Sequence, residues 1–149
     1  MNACKVAAVI VLYNPDFVLT AKVINSVSSQ VEIVYVIDNS LQNNKEIISE
    51  IVNEPRKIVY VPLLVNYGIA HAQNLGIEMI AEKYDYVVFF DQDSIPEEDM
   101  VSILIEDIIH LQQNSVKVAT IGPVPLNNKT GQPYSPRIFK YRQIEVNFR

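Results

Sequence analysis

Apolar residues follow two alternating patterns along this chain. Short unbroken runs give way to stretches in which apolar positions return every three or four residues. The runs are Lys5 to Tyr13, Ile33 to Asp38, Lys57 to Val61, the stretch Tyr86 to Ser94 and Lys117 to Ile121. Runs this short, rich in β-branched and aromatic types, predict strands buried on both faces. Helical spacing fills the gaps. Asn14 and Pro15 read as N-cap and first helical position of a helix reaching Ser28, with Phe17, Val18, Ala21, Ile24 and Val27 inward. A second helix runs from Asn44 to Asn53 and ends before Pro55. A third, Ile69 to Lys83, buries a stripe of Ile69, Ala72, Gly76, Met79 and Ile80. A fourth, Pro96 to Gln113, turns Met100, Ile103, Leu104 and Ile108 inward. Strands alternating with helices predict an α/β fold, a mainly parallel sheet flanked by helices with right-handed crossovers. This unit covers residues 1–123. Residues 124–149, with Pro125, Gly131, Pro133 and Pro136, predict an irregular tail.

Composition narrows the function classes. A chain of 149 residues suits one domain with a sizeable core. At 49% hydrophobic and 19% charged it is not a disordered segment. The net charge of -5 argues against general nucleic-acid binding, which needs a basic face. Cys4, the single cysteine, forms no internal disulfide and suits a reducing compartment. The apolar run after Lys5 is far shorter than the ~20 residues of a membrane span. It meets Asn14-Pro15-Asp16 without a small-x-small cleavage pattern, so a first strand is the expectation there.

Candidate chemistry sits at three strand ends: Tyr13-Asn14, Asp38-Asn39-Ser40 and Asp91-Gln92-Asp93-Ser94. In a parallel sheet these ends share one edge, the edge where ligands bind. Asp91 and Asp93, one residue apart, repel each other unless a cation lies between them. They suit a site for Mg2+ or Mn2+ that also grips a diphosphate. The competing reading is a solvated acidic turn, with Ser94 or Asp93 capping the next helix. Asp38 only accepts hydrogen bonds, and could read the ring N–H of a pyrimidine. Its competing role is a turn residue bonded to its own backbone. Gly68, just before a helix, supplies a positive φ or a close ligand approach, and Gly76 permits close helix–sheet packing. His71 and His110 read as surface residues. No G-x-G-x-x-G follows the first strand and no P-loop occurs anywhere, so neither a Rossmann dehydrogenase nor a P-loop NTPase is supported.

Four ordered motifs carry a family resemblance: V-I-V-L-Y-N-P from Val9, V-I-D-N-S from Val36, N-Y-G-I-A-H-A-Q-N-L-G-I from Asn66 and F-F-D-Q-D-S from Phe89. Together, over about Val6 to Gly122, they resemble family-2 glycosyltransferases of the GT-A fold, and among these the bacterial rhamnosyltransferases most. The resemblance implies inverting transfer of a sugar from a nucleotide diphosphate, with dTDP-rhamnose first and a UDP-sugar as the main competitor. It implies that Tyr13, Asn14 and Asp38 serve the nucleotide, Asp38 at the base. Asn66, Gly68 and Asn74 would lie along the nucleoside and sugar. Asp91 would meet the ribose or support Mg2+ or Mn2+, and Asp93 would ligate the metal. The implied acceptor is a cell-surface glycan, often lipid-linked. The implied location is cytoplasmic, with the complete protein peripheral at the inner face of the membrane.

The family's catalytic base belongs to an acceptor half. Here Glu97, Glu98 and Asp99 read as first-turn helix charges, Glu106 and Asp107 lie farther along that helix, and Glu145 is in the tail. The expectation is therefore a donor-binding half whose catalytic base lies beyond Arg149. Two other classes compete. One is a non-catalytic interaction domain whose exposed apolar surface pairs chains into a homo-oligomer. The other is a nucleotidyltransferase, which usually needs a basic, glycine-rich phosphate loop after the first strand.

Overall fold

Strand β1, Val6–Leu12, contains no polar residue, and only the middle of a sheet covered on both faces can bury it. The structure, a computed structural model, describes residues 4–80, 83–124, 126 and 130–132. Among them the order is β1, α1 (Phe17–Ser28), β2 (Ile33–Asp38), α2 (Lys45–Ile51), a short 3-10 turn (Pro55–Lys57), β3 (Ile58–Pro62), α3 (Ile69–Ile80), β4 (Tyr86–Asp91) and α4 (Met100–Gln113). The four strands form one parallel sheet in the order β3-β2-β1-β4. Alternation along β1 divides the core. Val6, Ala8, Ile10 and Leu12 face one layer with Val23, Ile24 and Val27 of α1, Ile48 of α2 and Val101 of α4. Ala7 and Val9 face the other, with Ala72 and Ile80 of α3.

Alpha-helix α3 lies so close to β1 that a Cβ on Gly76 would stand 2.8 Å from both Cγ atoms of Val9. Valine is stiff about χ1, so it cannot swing clear cheaply. Alanine at 76 gains roughly 0.8–1.0 kcal/mol of helix propensity but meets an overpacking cost of about 1–3 kcal/mol. We expect Gly76→Ala to destabilise the fold by about 1 kcal/mol, measured by urea denaturation. Adding Val9→Ala should make the Gly76→Ala change nearly neutral or favourable.

Several elements differ from the sequence expectation. Lys117 to Ile121 does not form a strand. Ser115 turns the chain at φ 61 after α4, and the run then stays mostly exposed, without a buried face to favour pairing. Strand β4 is not buried on both faces: it is a partly exposed edge in the order above, with Phe89 43% exposed. Helix α1 is capped by Asp16, whose Oδ1 accepts from the N–H groups of Val18 and Leu19, and not by Asn14. Asn14 has φ 47, and Val18 points to solvent. Helix α4 starts at Met100, so neither Ser94 nor Asp93 caps it, and Glu97 and Glu98 precede it. Gln30 instead accepts the N–H of Val101 and donates to the carbonyl of Glu97, bracing that entry from α1. Met100 and Ile108 turn inward as expected, joined by Val101 and Ile105, while Ile103 is exposed. The apolar side of the helix is broad, running from Met100 and Leu104 to Ile105 and Ile109, so spacing gave the side but not its centre. The predicted end of α3 at Lys83 passes through residues outside the described set, as does most of the predicted tail.

Candidate functional site

The parallel strands deliver their polar C-terminal ends to one edge, and a cleft of about 520 Å³ opens there. The end of β1 supplies Val11 and Tyr13, and the end of β2 supplies Asn39. The loop into α3 supplies Asn66, Gly68 and Ile69. The end of β4 supplies Asp91, Gln92 and Asp93. Five expected residues thus meet: Tyr13, Asn66, Gly68, Asp91 and Asp93. The structure does not bring Asn14, Asp38 or Asn74 to the lining. Asn74 is exposed on α3, and Asn14 ties its own N–H to the Ser40 hydroxyl at 2.9 Å.

Asp38 lies beneath the cleft, fully buried at 0% exposure. Its Oδ1 accepts from the Ser40 N–H at 2.8 Å. Its Oδ2 accepts from Asn44 Nδ2 at 2.8 Å and from the Tyr60 hydroxyl at 2.7 Å. Burial, reinforced by the bond to Asp38, holds the Tyr60 phenol above its usual range, so it stays a donor. The next two residues tie down other walls. Asn39 accepts from the Tyr67 N–H and donates to the Gly68 carbonyl, both at 3.3 Å, and Ser40 holds Asn14. The turn Asp38-Asn39-Ser40 therefore links β3, the α3 entry and the loop after β1. Gly68 sits at φ +86, with nothing within 4 Å of an added Cβ, so backbone conformation alone demands glycine there. Asn66 Oδ1 accepts the Gly68 N–H at 2.9 Å and closes that turn.

Asp91 and Asp93 are exposed, and neither carboxylate accepts a hydrogen bond from the described residues. Among the described residues no lysine, arginine or histidine lines the cleft. The described residues form no cluster of three or more metal-ligating side chains. Two free carboxylates still fit Mg2+ or Mn2+, which are typically held by one or two acids plus phosphate oxygens and water. His71 is exposed as expected and stacks obliquely on Tyr67, with centroids 4.8 Å apart. His110 is also at the surface.

Sequence reasoning passed over Asn39 and Gln92. Both stand inside motifs it singled out, and both are amides, the side chains able to donate and accept at once.

Comparisons with known proteins bear on the family and the fold. The model of glycosyl transferase family 2 matches residues 7–148. A dTDP-rhamnosyl transferase, RfbF, of Shigella flexneri is 32% identical over 136 residues, 90% of this chain and 43% of its own length. A poly-beta-1,6-N-acetyl-D-glucosamine synthase of Staphylococcus aureus is 37% identical over 79 residues, 53% of this chain and 18% of its own. The crystal structure of S. aureus TarS 1-349 is similar with a TM-score of 0.56 at 18% identity, over 81% of this chain and 38% of that one. That last likeness is one of fold, a GT-A-like sheet flanked by helices. The chain spans less than half the length of each of these proteins.

Proposed function

This chain belongs to glycosyl transferase family 2, and from that premise we propose that its cleft binds a nucleotide-diphosphate sugar through a divalent cation for inverting transfer. The carrying observation is the pair of carboxylates, Asp91 and Asp93, that no described residue engages, in a cleft to which the described residues bring no cationic side chain. The charged side chains that a diphosphate would meet there, among the described residues, are both carboxylates. Bound Mg2+ or Mn2+ would neutralise the diphosphate as the glycosidic bond breaks. Asp93 would hold that cation, with Asp91 supporting it or meeting the ribose. Tyr13 offers an exposed ring at the base end, and Asn66 with Gly68 lines the nucleoside and sugar. Asp38 serves the nucleotide from below, by fixing the walls that Asn39 and Ser40 tie together. Asp38 is fully buried, so a direct bond to a base would require the residues that cover it to move.

The donor reading is dTDP-rhamnose, supported by the Shigella relative's extent over this chain. A UDP-sugar is the competitor. The acceptor class is a glycan, free or lipid-linked. Among the described residues no helix is long and apolar enough to cross a membrane. Residues 1–123 form the donor unit in this reading. A nucleotidyltransferase is not favoured: Tyr13-Asn14-Pro15 follows β1, without a basic or glycine-rich loop.

Calorimetric titration with thymidine and uridine diphosphate, with and without Mn2+, tests the proposal. Wild type is expected to bind more tightly with Mn2+. Asp93→Asn should lose at least about tenfold of that gain, roughly 1.4 kcal/mol. Unchanged Mn2+-dependent affinity in Asp93→Asn would remove Asp93 from the metal site.

A further inference from the structure

Gln92 occupies the spacer position between the two acids. Its carboxamide is engaged by a single residue, Tyr13. The Tyr13 N–H donates to Oε1 at 2.8 Å, and Nε2 donates to the Tyr13 carbonyl at 3.2 Å. The strand ladder explains the pairing. Val11 stands opposite Asp91, so continued strands would place Tyr13 opposite residue 93. Successive residues in a strand direct their N–H and C=O groups to opposite neighbours. The Leu12 carbonyl accepts from Asn39 on the β2 side, so Tyr13 presents its N–H and C=O toward β4. But β4 ends at Asp91, and the Ser94 N–H reaches back to the Asp91 carbonyl at 3.4 Å. The carboxamide of Gln92 takes the place of the strand that is no longer there.

We propose that Gln92 is a positioning residue for the acid pair: by satisfying Tyr13 in place of a continued β4, it lets residues 91–93 turn out of the sheet with both carboxylates at the cleft. Without this surrogate, Tyr13 would lose both partners at that edge, or β4 would have to continue and take Asp93 into the ladder. Glutamine suits the task because a donor and an acceptor share one planar group. Asparagine is one methylene too short. Methionine has the length and neither hydrogen bond. The inference rests on the cation–diphosphate reading above.

Three forms of the full 149-residue chain test it: wild type, Gln92→Met and Gln92→Asn. Each is titrated with thymidine diphosphate with and without Mn2+, and the ratio of the two affinities is compared. In both variants we expect that ratio to fall about tenfold, a larger change than any in metal-free affinity, while the thermal midpoint stays close to wild type. Amide hydrogen exchange at Tyr13 should quicken in both, a readout that needs no metal. A ratio unchanged in Gln92→Met overturns the inference. If the methionine variant does not fold, an unchanged ratio in Gln92→Asn overturns it instead. Unchanged exchange at Tyr13 overturns it as well. A wild-type chain that gains nothing from Mn2+ defeats the underlying reading, and this inference with it.

Discussion

Asp38→Ala is expected to destabilise the fold by about 3–4 kcal/mol, a larger stability loss than that expected for Gly76→Ala. Asp38 is fully buried and accepts three hydrogen bonds, from Ser40, Asn44 and Tyr60. Each buried donor left without a partner costs roughly 1–3 kcal/mol. Tyr60 is half-buried and regains part of its loss from water, which keeps the total below the simple sum. For a chain of this size the loss corresponds to a fall in Tm of roughly 10 °C. Thermal and urea unfolding measure it directly. Nucleoside binding should weaken too, because Asn39 and Ser40 lose the turn that aims them. Tyr60→Phe separates the two roles of Asp38. It frees one lone-pair site on Oδ2 without removing the carboxylate. If Asp38 reads a base directly, that change leaves nucleoside affinity equal or better. If Asp38 holds the cleft wall, affinity falls, and we expect a fall. The same variant tests pH dependence. The Tyr60 phenol titrates above 10.0 in the folded chain, so its stabilisation is complete below pH 10 and declines as pH rises beyond it. Denaturation at pH 9 and pH 11 should therefore differ less in Tyr60→Phe than in wild type.

Most of the fold was legible because unbroken apolar runs and helical spacing are direct consequences of burial. The run Ile33 to Asp38 is β2, residue for residue. Gly76 signalled close packing through its cost in a helix, and Val9 supplies the neighbour. Legibility failed where a pattern matched two answers. Lys117 to Ile121 has strand composition but no cover, and cover is a tertiary property. The apolar side of α4 is broad, and the part that joins the core is the one around Met100, Val101 and Ile105. At the site, strand ends predicted the cleft and its acids. They did not predict Asp38's surroundings, because its partners Asn44 and Tyr60 lie six and 22 residues away. Nor did they expose Gln92, whose role appears only once Val11 is known to pair with Asp91.

The 149-residue chain, purified alone, is expected to bind its donor and to transfer no sugar above the rate of donor hydrolysis. In the proposed reading donor binding uses the ends of β1, β2 and β4 and the α3 entry, all of them described. Inverting transfer needs more. A base must stand within ~2.6–3.2 Å of the acceptor hydroxyl, or one water away, and such a base typically contributes about 10²–10⁴-fold. Asp91 and Asp93 are the only acids lining the cleft among the described residues, and in the proposed reading they serve the cation or the ribose. Glu106 and Asp107 point to solvent from α4, away from that lining. Glu145 lies outside the described residues. Orientation matters as much as the base: holding an acceptor in line can supply ~7–11 kcal/mol of the barrier, and the described residues beyond α4 present no second wall to the cleft. Together these terms leave transfer many orders of magnitude slower than with a base and an acceptor surface in place. Hydrolysis is less demanding, since water needs no binding surface. The assay uses the chain with dTDP-rhamnose, Mn2+ and a glycan acceptor, followed by mass spectrometry. A glycan that gains sugar over repeated turnovers would place a base within these 149 residues, and Glu145→Gln would then be the first variant to test.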